Sequence, residues 1–169
     1  MIIAIDGLAG SGKSSTAKLV AERLGFNYFT TGKMYRAITN YAIENNLIDN
    51  LPLSISKVIN DIDMSVIGDN FGKIIINGYD YSDNLYSLTV NRYISIISSI
   101  EEVRSKMVKI QRAVAEKHNI VCEGRDIGTV VFPNADYKFY FKADLKSRTD
   151  RRYIDMKKKD SSITKISLK

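Results

Sequence analysis

The chain has 169 residues, 44% of them hydrophobic, and a formal net charge of +6. This length suits one main domain with room for a small insert. Its single cysteine, Cys122, excludes an internal disulfide and a cysteine-based zinc site, which is typical of a reducing compartment. The apolar run at residues 2–5 is too short to span a membrane and predicts a strand. We therefore expect a cytoplasmic protein with no membrane partner.

The positive charge is concentrated in residues 146–169, which contain nine Lys or Arg and three Asp, while the remaining residues are balanced. No basic sheet with interleaved aromatic residues and no zinc finger accompanies this segment. We therefore expect a local cationic arm and no nucleic-acid partner. A solvated basic helix face remains an alternative.

The first 45 residues alternate between short apolar runs and helical periodicity. Residues 2–6 predict a buried strand that ends at a glycine loop, and residues 27–29 predict a second strand. Each is followed by an apolar helix face, made of Ala17, Val20, Ala21 and Leu24 before Gly25, and then of Met34, Ala37, Ile38, Tyr41 and Ala42. Strand, helix, strand, helix predicts an α/β fold with parallel strands.

The pattern changes at residue 63. The stretch "DMSVIGDNFGKIIING" predicts a hairpin, and "YSLTVNRYISIIS" predicts a helix. The sequence "SIEE" at residues 99–102 predicts a capping box at the start of another helix, with an apolar face of Ile100, Val103, Met107, Ile110 and Val114. We interpret residues 63–99 as a small α+β insert.

The main sheet resumes in residues 120–123 and 137–141, and the basic arm predicts a helix from Lys146 to at least Lys159. The predicted domain organisation is a core of residues 1–62 and 100–145, the insert at 63–99 and a lid at 146–169.

A phosphate-binding loop follows the first strand. Residues 7–14 match G-x-x-x-x-G-K-[ST], in which glycines let backbone N–H groups surround phosphates, the Lys13 ammonium contacts the β and γ oxygens, and the Ser14 hydroxyl contacts Mg²⁺. A glycine-rich turn that only caps a helix is the alternative. The base-reading and switch sequences of GTPases are not found, which favours a small kinase with a second substrate.

Two stretches predict where that second substrate binds. "TGKMYR" begins a helix at the carboxyl edge of the sheet, so Arg36 can contact a phosphate, or is an ordinary surface arginine. "EGRDIGTVVFP" brings Arg125 and Asp126 to the same edge. An arginine suits a phosphate and a carboxylate suits an amino group such as that of cytosine. A structural ion pair remains the alternative.

These stretches resemble bacterial-type cytidylate kinases, which make CDP from CMP with ATP. The similarity runs from "IDGLAGSGKSSTAKLVAERLGFNYFTTGKMYRA" through "EGRDIGTVVFPNADYKFYFKA" and covers residues 2 to about 160. It implies an adenylate-kinase-like P-loop fold: a parallel sheet of order 2-3-1-4-5 flanked by helices, a monophosphate-binding insert and a helical lid. We expect a monomer.

The resemblance implies a role for each site residue. Those expected to bind ATP are Gly7, Gly10, Ser11, Gly12, Lys13, Ser14, Ser15 and Arg151, with Ser14 at Mg²⁺. Those expected to bind CMP or dCMP are Thr31, Arg36, Ser95, Arg104, Arg125 and Asp126, with Ser95, Arg104 and Asp126 reading cytosine. Those expected to act in catalysis are Lys13, Arg125, Arg148 and Arg152.

The sequence departs from the family pattern at Thr30, Glu123 and Tyr86, where the family commonly has Asp, Asp and Arg. Family members also continue beyond the lid with an Asp- and Arg-rich segment, a last strand and a helix. We therefore expect the sequence to be incomplete, with the fifth strand of the core missing. The alternatives are a related kinase for UMP, AMP or shikimate, and a non-catalytic binder of nucleotide or nucleic acid derived from a kinase.

Overall fold

The computed structural model describes residues 1–157, except the side chains of residues 155 and 156. The strands in this part are β1 (Ile2–Gly7), β2 (Asn27–Thr30), β3 (Met64–Ile67), β4 (Lys73–Ile76), β5 (Tyr79–Asp80), β6 (Ile120–Gly124) and β7 (Tyr137–Phe141). The α-helices are α1 (Lys13–Leu24), α2 (Thr31–Glu44), α3 (Leu53–Val58), α4 (Leu88–Ile97), α5 (Glu101–Ala115) and α6 (Leu145–Lys157).

The main sheet has the order β2-β6-β1-β7, and all its pairs are parallel. This is the 2-3-1-4 part of the predicted order, since β6 and β7 are the third and fourth core strands. Successive side chains along each strand point to opposite faces of this sheet. Ile3 and Ile5 pack with α1, while Ala4 and Cys122 belong to the larger core that includes residues of α2 and α5. The predicted α/β class, a parallel sheet flanked by helices, is confirmed.

A second sheet of antiparallel strands, β3-β4-β5, lies within the predicted insert. The predicted hairpin is confirmed, and a short 3₁₀ turn, Asp69–Phe71, joins its strands. In this turn the Phe71 ring packs edge-on against Phe29 of β2, with centroids 5.2 Å apart. This contact joins the two sheets through the larger core. The exact domain boundaries stay a prediction.

The predicted capping box at the start of α5 is wrong. The N-cap residue is Ile100, and the Ser99 hydroxyl donates to the carbonyl oxygen of Ile96 at 2.7 Å. The reason is that α4 ends two residues earlier, so its free carbonyl groups are the nearest acceptors. Glu101 and Glu102 still place negative charge in the first turn of α5, which the helix dipole favours.

The helix predicted from Lys146 is present as α6. The last part of the predicted lid, residues 158–169, lies outside the described residues, and the predicted helix end at Lys159 lies there too. In the part of the chain that the structure describes, no helix combines the length and apolar character needed to cross a membrane.

Candidate active site

The phosphate loop, residues 7–14, joins the buried end of β1 to the start of α1. The backbone N–H of Ser11 donates to the carbonyl oxygen of Leu8 at 3.2 Å, which closes a tight turn. The Ser11 hydroxyl is buried and has no hydrogen-bond partner within residues 1–157. A buried hydroxyl needs a partner, and a phosphate oxygen bound in this loop fits that need.

Helix α6 lies directly against the phosphate loop. Arg148 Nε donates to the carbonyl oxygen of Ala9 at 3.0 Å, and Arg151 Nη1 donates to that of Gly10 at 3.2 Å. A Cβ atom on Gly10 would lie 2.7 Å from the carbonyl oxygen of Arg148, so only glycine permits this approach. Two of the arginines expected in the lid are therefore placed beside the loop expected to bind ATP.

Glu123, at the end of β6, is the centre of a polar cluster beside the phosphate loop. The residue is 5% exposed, and its carboxylate lies 3.7 Å from Lys13 Nζ. The hydroxyl groups of Ser14, Thr30 and Tyr28 donate to its Oε1 atom at 3.0, 2.6 and 3.3 Å. In the sequence Glu123 stands out only as a departure from the family pattern, and its place in the site was not predicted. A carboxylate at the end of a buried strand was the available signal.

The electrostatics of this cluster favour hydroxyl groups that keep their protons and donate hydrogen bonds to the Glu123 carboxylate. Burial raises the pKa of the Tyr28 phenol, and the negative charge of Glu123 raises it further, so Tyr28 keeps its proton at neutral pH. The hydroxyl of Ser14 and the carboxylate of Glu123 are oxygen ligands of the kind that Mg²⁺ uses together with substrate phosphates. The expected role of Ser14 at Mg²⁺ fits this arrangement and stays a prediction.

Across the sheet edge, Arg104 of α5 forms an ion pair with Asp126, which follows β6. The hydrogen bond from Arg104 to Asp126 raises the pKa of the guanidinium. The two side chains are 35% and 29% exposed, so both remain accessible. Tyr35, which the sequence analysis did not select, lies nearby: burial raises its pKa, the positive charge of Arg104 lowers it, and the negative charge of Asp126 raises it.

Ser95, expected to read cytosine together with this pair, keeps that role as a prediction. It is exposed on α4, and within the described residues its side chain forms no hydrogen bond with Arg104 or Asp126. Thr31 is buried, and its hydroxyl donates to the carbonyl oxygen of Glu123 at 3.2 Å. That bond ties the start of α2 to β6. Ser15 is exposed in the first turn of α1.

Two further arginines, Arg125 and Arg152, lie close enough to Arg36 for their charges to act on it. Burial lowers the pKa of Arg36, and the positive charges of Arg152 and Arg125 lower it further. Within residues 1–157 none of the three forms a salt bridge. Like charges gathered from α2, α6 and the loop after β6 create a positive potential that suits an anionic ligand.

Arg36 is held in place by the insert. Its Nη1 atom donates to the carbonyl oxygen of Leu85 at 3.0 Å and to Asn91 Oδ1 at 2.8 Å. The ring of Tyr86, one of the departures from the family pattern, lies under the guanidinium at 4.5 Å. A cation over an aromatic face is stabilised by the ring quadrupole, so Tyr86 helps to hold the arginine in place.

A family model described as cytidylate kinase matches residues 3–168. The chain belongs to the cytidylate kinase family. It is 42% identical over 165 residues to a cytidylate kinase of Fusobacterium nucleatum subsp. nucleatum, covering 97% of this chain and 74% of that protein. It is 41% identical to one of Clostridium botulinum strain Loch Maree, covering 96% and 73%. It is 42% identical to one of Caldanaerobacter subterraneus subsp. tengcongensis, covering 95% and 70%.

Membership of the cytidylate kinase family confirms the resemblance found in the sequence. The match includes the phosphate loop, the stretch containing Arg125 and Asp126, and helix α6. The assigned roles of the individual residues stay predictions.

Proposed function

We propose that this chain transfers the γ-phosphoryl group of ATP to CMP or dCMP, giving ADP and CDP or dCDP. The observation that carries the proposal is the meeting of two binding regions at one sheet edge. Strands β1 and β6 are neighbours, with Asp6 opposite Gly124. The phosphate loop leaves β1, and Arg125 and Asp126 leave β6 at the same edge, where ligands of open α/β sheets bind.

The donor is held by the phosphate loop. Its backbone N–H groups and the Lys13 ammonium bind the β- and γ-phosphates of ATP. Arg148 and Arg151 of α6 already contact carbonyl groups of this loop. On ATP binding these cations exchange the carbonyl contacts for the triphosphate, which neutralises its charge and excludes water.

Ser14 and Glu123 would hold Mg²⁺ at the donor phosphates. Bound there, the metal would supply neutralisation of the negative charge on the donor phosphates. Lys13 lies 3.7 Å from Glu123, and Ser14 donates to it, so this carboxylate keeps both side chains at the phosphate loop before ATP arrives. Thr30 and Tyr28 in turn fix the carboxylate through their hydroxyl groups.

The acceptor phosphate is held by Arg36, Arg125 and Arg152. Their charges orient a phosphate oxygen of CMP toward the γ-phosphorus of ATP. That oxygen forms the new P–O bond while the bond from the γ-phosphorus to the β–γ bridging oxygen breaks, and ADP leaves. The attacking phosphate oxygen is already ionised, so positioning and charge stabilisation supply most of the catalysis.

The base is selected by Asp126 with Arg104 beside it. The Asp126 carboxylate accepts a hydrogen bond from the exocyclic amine of cytosine. Uracil presents a carbonyl oxygen at that position, which places two acceptors face to face. A site built to receive a donor rejects a ligand that lacks one by up to ~10⁴-fold or more.

We also propose that the enzyme acts as a cytoplasmic monomer. The support for the location is chemical: the proposed substrates and products are multiply charged nucleotides, which do not cross a bilayer unaided. Light scattering of the purified chain tests the monomer, because a dimer doubles the mass.

The proposal is tested by following the phosphoryl group. The chain is incubated with Mg²⁺, CMP and ATP labelled in the γ-phosphate. The products are then separated, and their masses are measured by mass spectrometry. We expect the label in CDP. Lys13→Met should abolish the transfer, while Lys109→Met, which alters an exposed lysine of α5, should not. Label that stays in ATP with CMP and dCMP, while ATP binding is intact, would contradict the proposal.

A further inference from the structure

The carboxylate of Asp6 joins β1 to the turn that follows Asp126. Asp6 is 7% exposed, and its Oδ1 and Oδ2 atoms accept hydrogen bonds from the backbone N–H groups of Ile127 and Gly128 at 2.6 and 2.8 Å. A buried carboxylate with both oxygens bonded to backbone donors is strongly held. These two bonds connect residues more than 120 positions apart in the chain.

The two N–H groups begin a π-helical turn, Ile127–Val131, whose N-cap residue is Asp126. The first N–H groups of a helical turn have no partner within the turn, and an aspartate at the N-cap commonly accepts from them. Here the side chain of Asp126 does not do so. Asp6 caps the turn instead, which leaves the Asp126 carboxylate to pair with Arg104.

Gly128 makes this arrangement tight. A Cβ atom at that position would lie 3.3 Å from Asp6 Oδ2 and 3.2 Å from the Lys138 side chain. A substitution there would push against the carboxylate that caps the turn. The contact between the Asp6 carboxylate and the turn can therefore be disturbed by a substitution at Asp6 or at Gly128.

We propose that Asp6 is a positioning residue for acceptor selection: by capping the turn after Asp126, it frees and aims the carboxylate that reads the base. This inference rests on the proposed function, because it assigns base reading to Asp126. Asp6 also immediately precedes the phosphate loop. One side chain thus sets the position of the acceptor-reading loop relative to the strand that carries the donor-binding loop.

The inference is tested with Asp6→Asn, Gly128→Ala and a matched control, Asp136→Asn. The Asp136 carboxylate also accepts a hydrogen bond from β1, from the N–H of Ile2 at 2.7 Å, but at the opposite end of the strand. Calorimetry gives the dissociation constants of CMP, UMP and an ATP analogue for each variant. Binding is measured without turnover, so this result is independent of the transfer assay.

An amide at position 6 presents an N–H group to a backbone donor, which leaves one buried donor without a partner. We therefore expect Asp6→Asn and Gly128→Ala to lower the CMP-over-UMP binding ratio by ~10-fold or more, at about 1.4 kcal/mol per tenfold change. Affinity for the ATP analogue should change less than about threefold at the same scale. Asp136→Asn should match the wild type.

Equal weakening of CMP and UMP in both variants would overturn the inference, and so would a loss of ATP affinity as large as the loss of CMP affinity. If Asp6→Asn does not fold, Gly128→Ala decides alone. A wild-type chain that prefers CMP in binding but transfers no phosphoryl group would contradict the proposed function. The effect of Asp6→Asn on that preference would still decide the role of Asp6.

Discussion

The guanidinium of Arg104 and the carboxylate of Asp126 form an ion pair that joins helix α5 to the loop after β6. About a third of each side chain is exposed, so the pair is open to a ligand. Surface ion pairs of this kind add little to stability. A role in recognising a ligand therefore accounts for the arrangement better than a role in folding does.

Replacing Asp126 should remove the preference for CMP over UMP. In Asp126→Ala the acceptor that favours the cytosine amine and repels the uracil carbonyl is gone, so kcat/KM for the two nucleotides should become similar. Steady-state assays with both acceptors measure this ratio. Asp61→Ala, which alters an exposed aspartate of the described chain, is the control. A variant that keeps the wild-type ratio would refute the base-reading role.

Replacing Arg125 should lower the rate of transfer. Removing one well-placed cation or donor from a transition-state site commonly costs ~10²-fold or more in kcat. We expect a loss of that size for Arg125→Ala in a coupled assay of ADP release. The matched control is Arg92→Ala, an exposed arginine of α4. A loss below about threefold, on the same scale of effects, would make Arg125 structural.

Replacing Glu123 should reduce the gain in ADP affinity that Mg²⁺ produces. Glu123→Gln keeps the shape of the side chain but removes the charge that faces Lys13 and accepts from Ser14. Calorimetry of ADP binding with Mg²⁺ and with a chelator measures the enhancement by the metal. We expect it to fall by ~10-fold or more, as for loss of a charged hydrogen-bond partner. The control Glu102→Gln, on the exposed surface of α5, should keep the full enhancement by Mg²⁺. An unchanged enhancement in Glu123→Gln would exclude a role of Glu123 at the metal.

Replacing Gly10 should weaken ATP binding beyond the effect of backbone strain. Gly10 and Gly25 both have left-handed backbone conformations, with φ of 76° and 64°. An added Cβ would meet the carbonyl oxygen of Arg148 at position 10 and open space at position 25. Gly25→Ala therefore reports the strain alone, about 1–2 kcal/mol. Equal ATP affinity in the two alanine variants would show that the approach of α6 does not matter for binding.

The thiol of Cys122 should be inert in the folded protein. Burial raises its pKa well above 9.0, and the charges of Glu123 and Asp6 raise it further. The folded chain therefore binds more protons than the unfolded chain once the pH passes about 9, so stability should fall as the pH rises above that value. Thiol labelling at pH 8 should be slow until denaturant is added. Rapid labelling of the native chain would contradict the buried position.

The parts of the site that lie in one stretch of sequence were predictable. The phosphate loop follows from its own spacing, and the position of Arg125 and Asp126 follows from the end of a buried strand. The main strands were predictable for the same reason, since their apolar runs are continuous. Short elements were not: α3 and β5 have six and two residues, which is too few for a periodic pattern to appear.

The hydrogen-bond partners of Glu123 and Asp6 could not be predicted from the sequence. Each depends on contacts between elements that are distant in the chain and become neighbours only through the strand order. Thr30 and Glu123 depart from the family pattern separately in the sequence, yet in the structure the Thr30 hydroxyl donates to Glu123 at 2.6 Å. The failed capping box at Ser99 has a similar origin, because the end of α4 supplied a competing acceptor.

The most informative measurement is the ratio of kcat/KM for CMP to that for UMP, made on the wild-type chain with saturating Mg·ATP. We expect turnover with CMP and dCMP, and a preference over UMP of at least ~10²-fold, because an unpaired polar site rejects a ligand that lacks its donor. Comparable turnover with CMP and UMP would rule out selection of the cytosine base by Asp126 and Arg104.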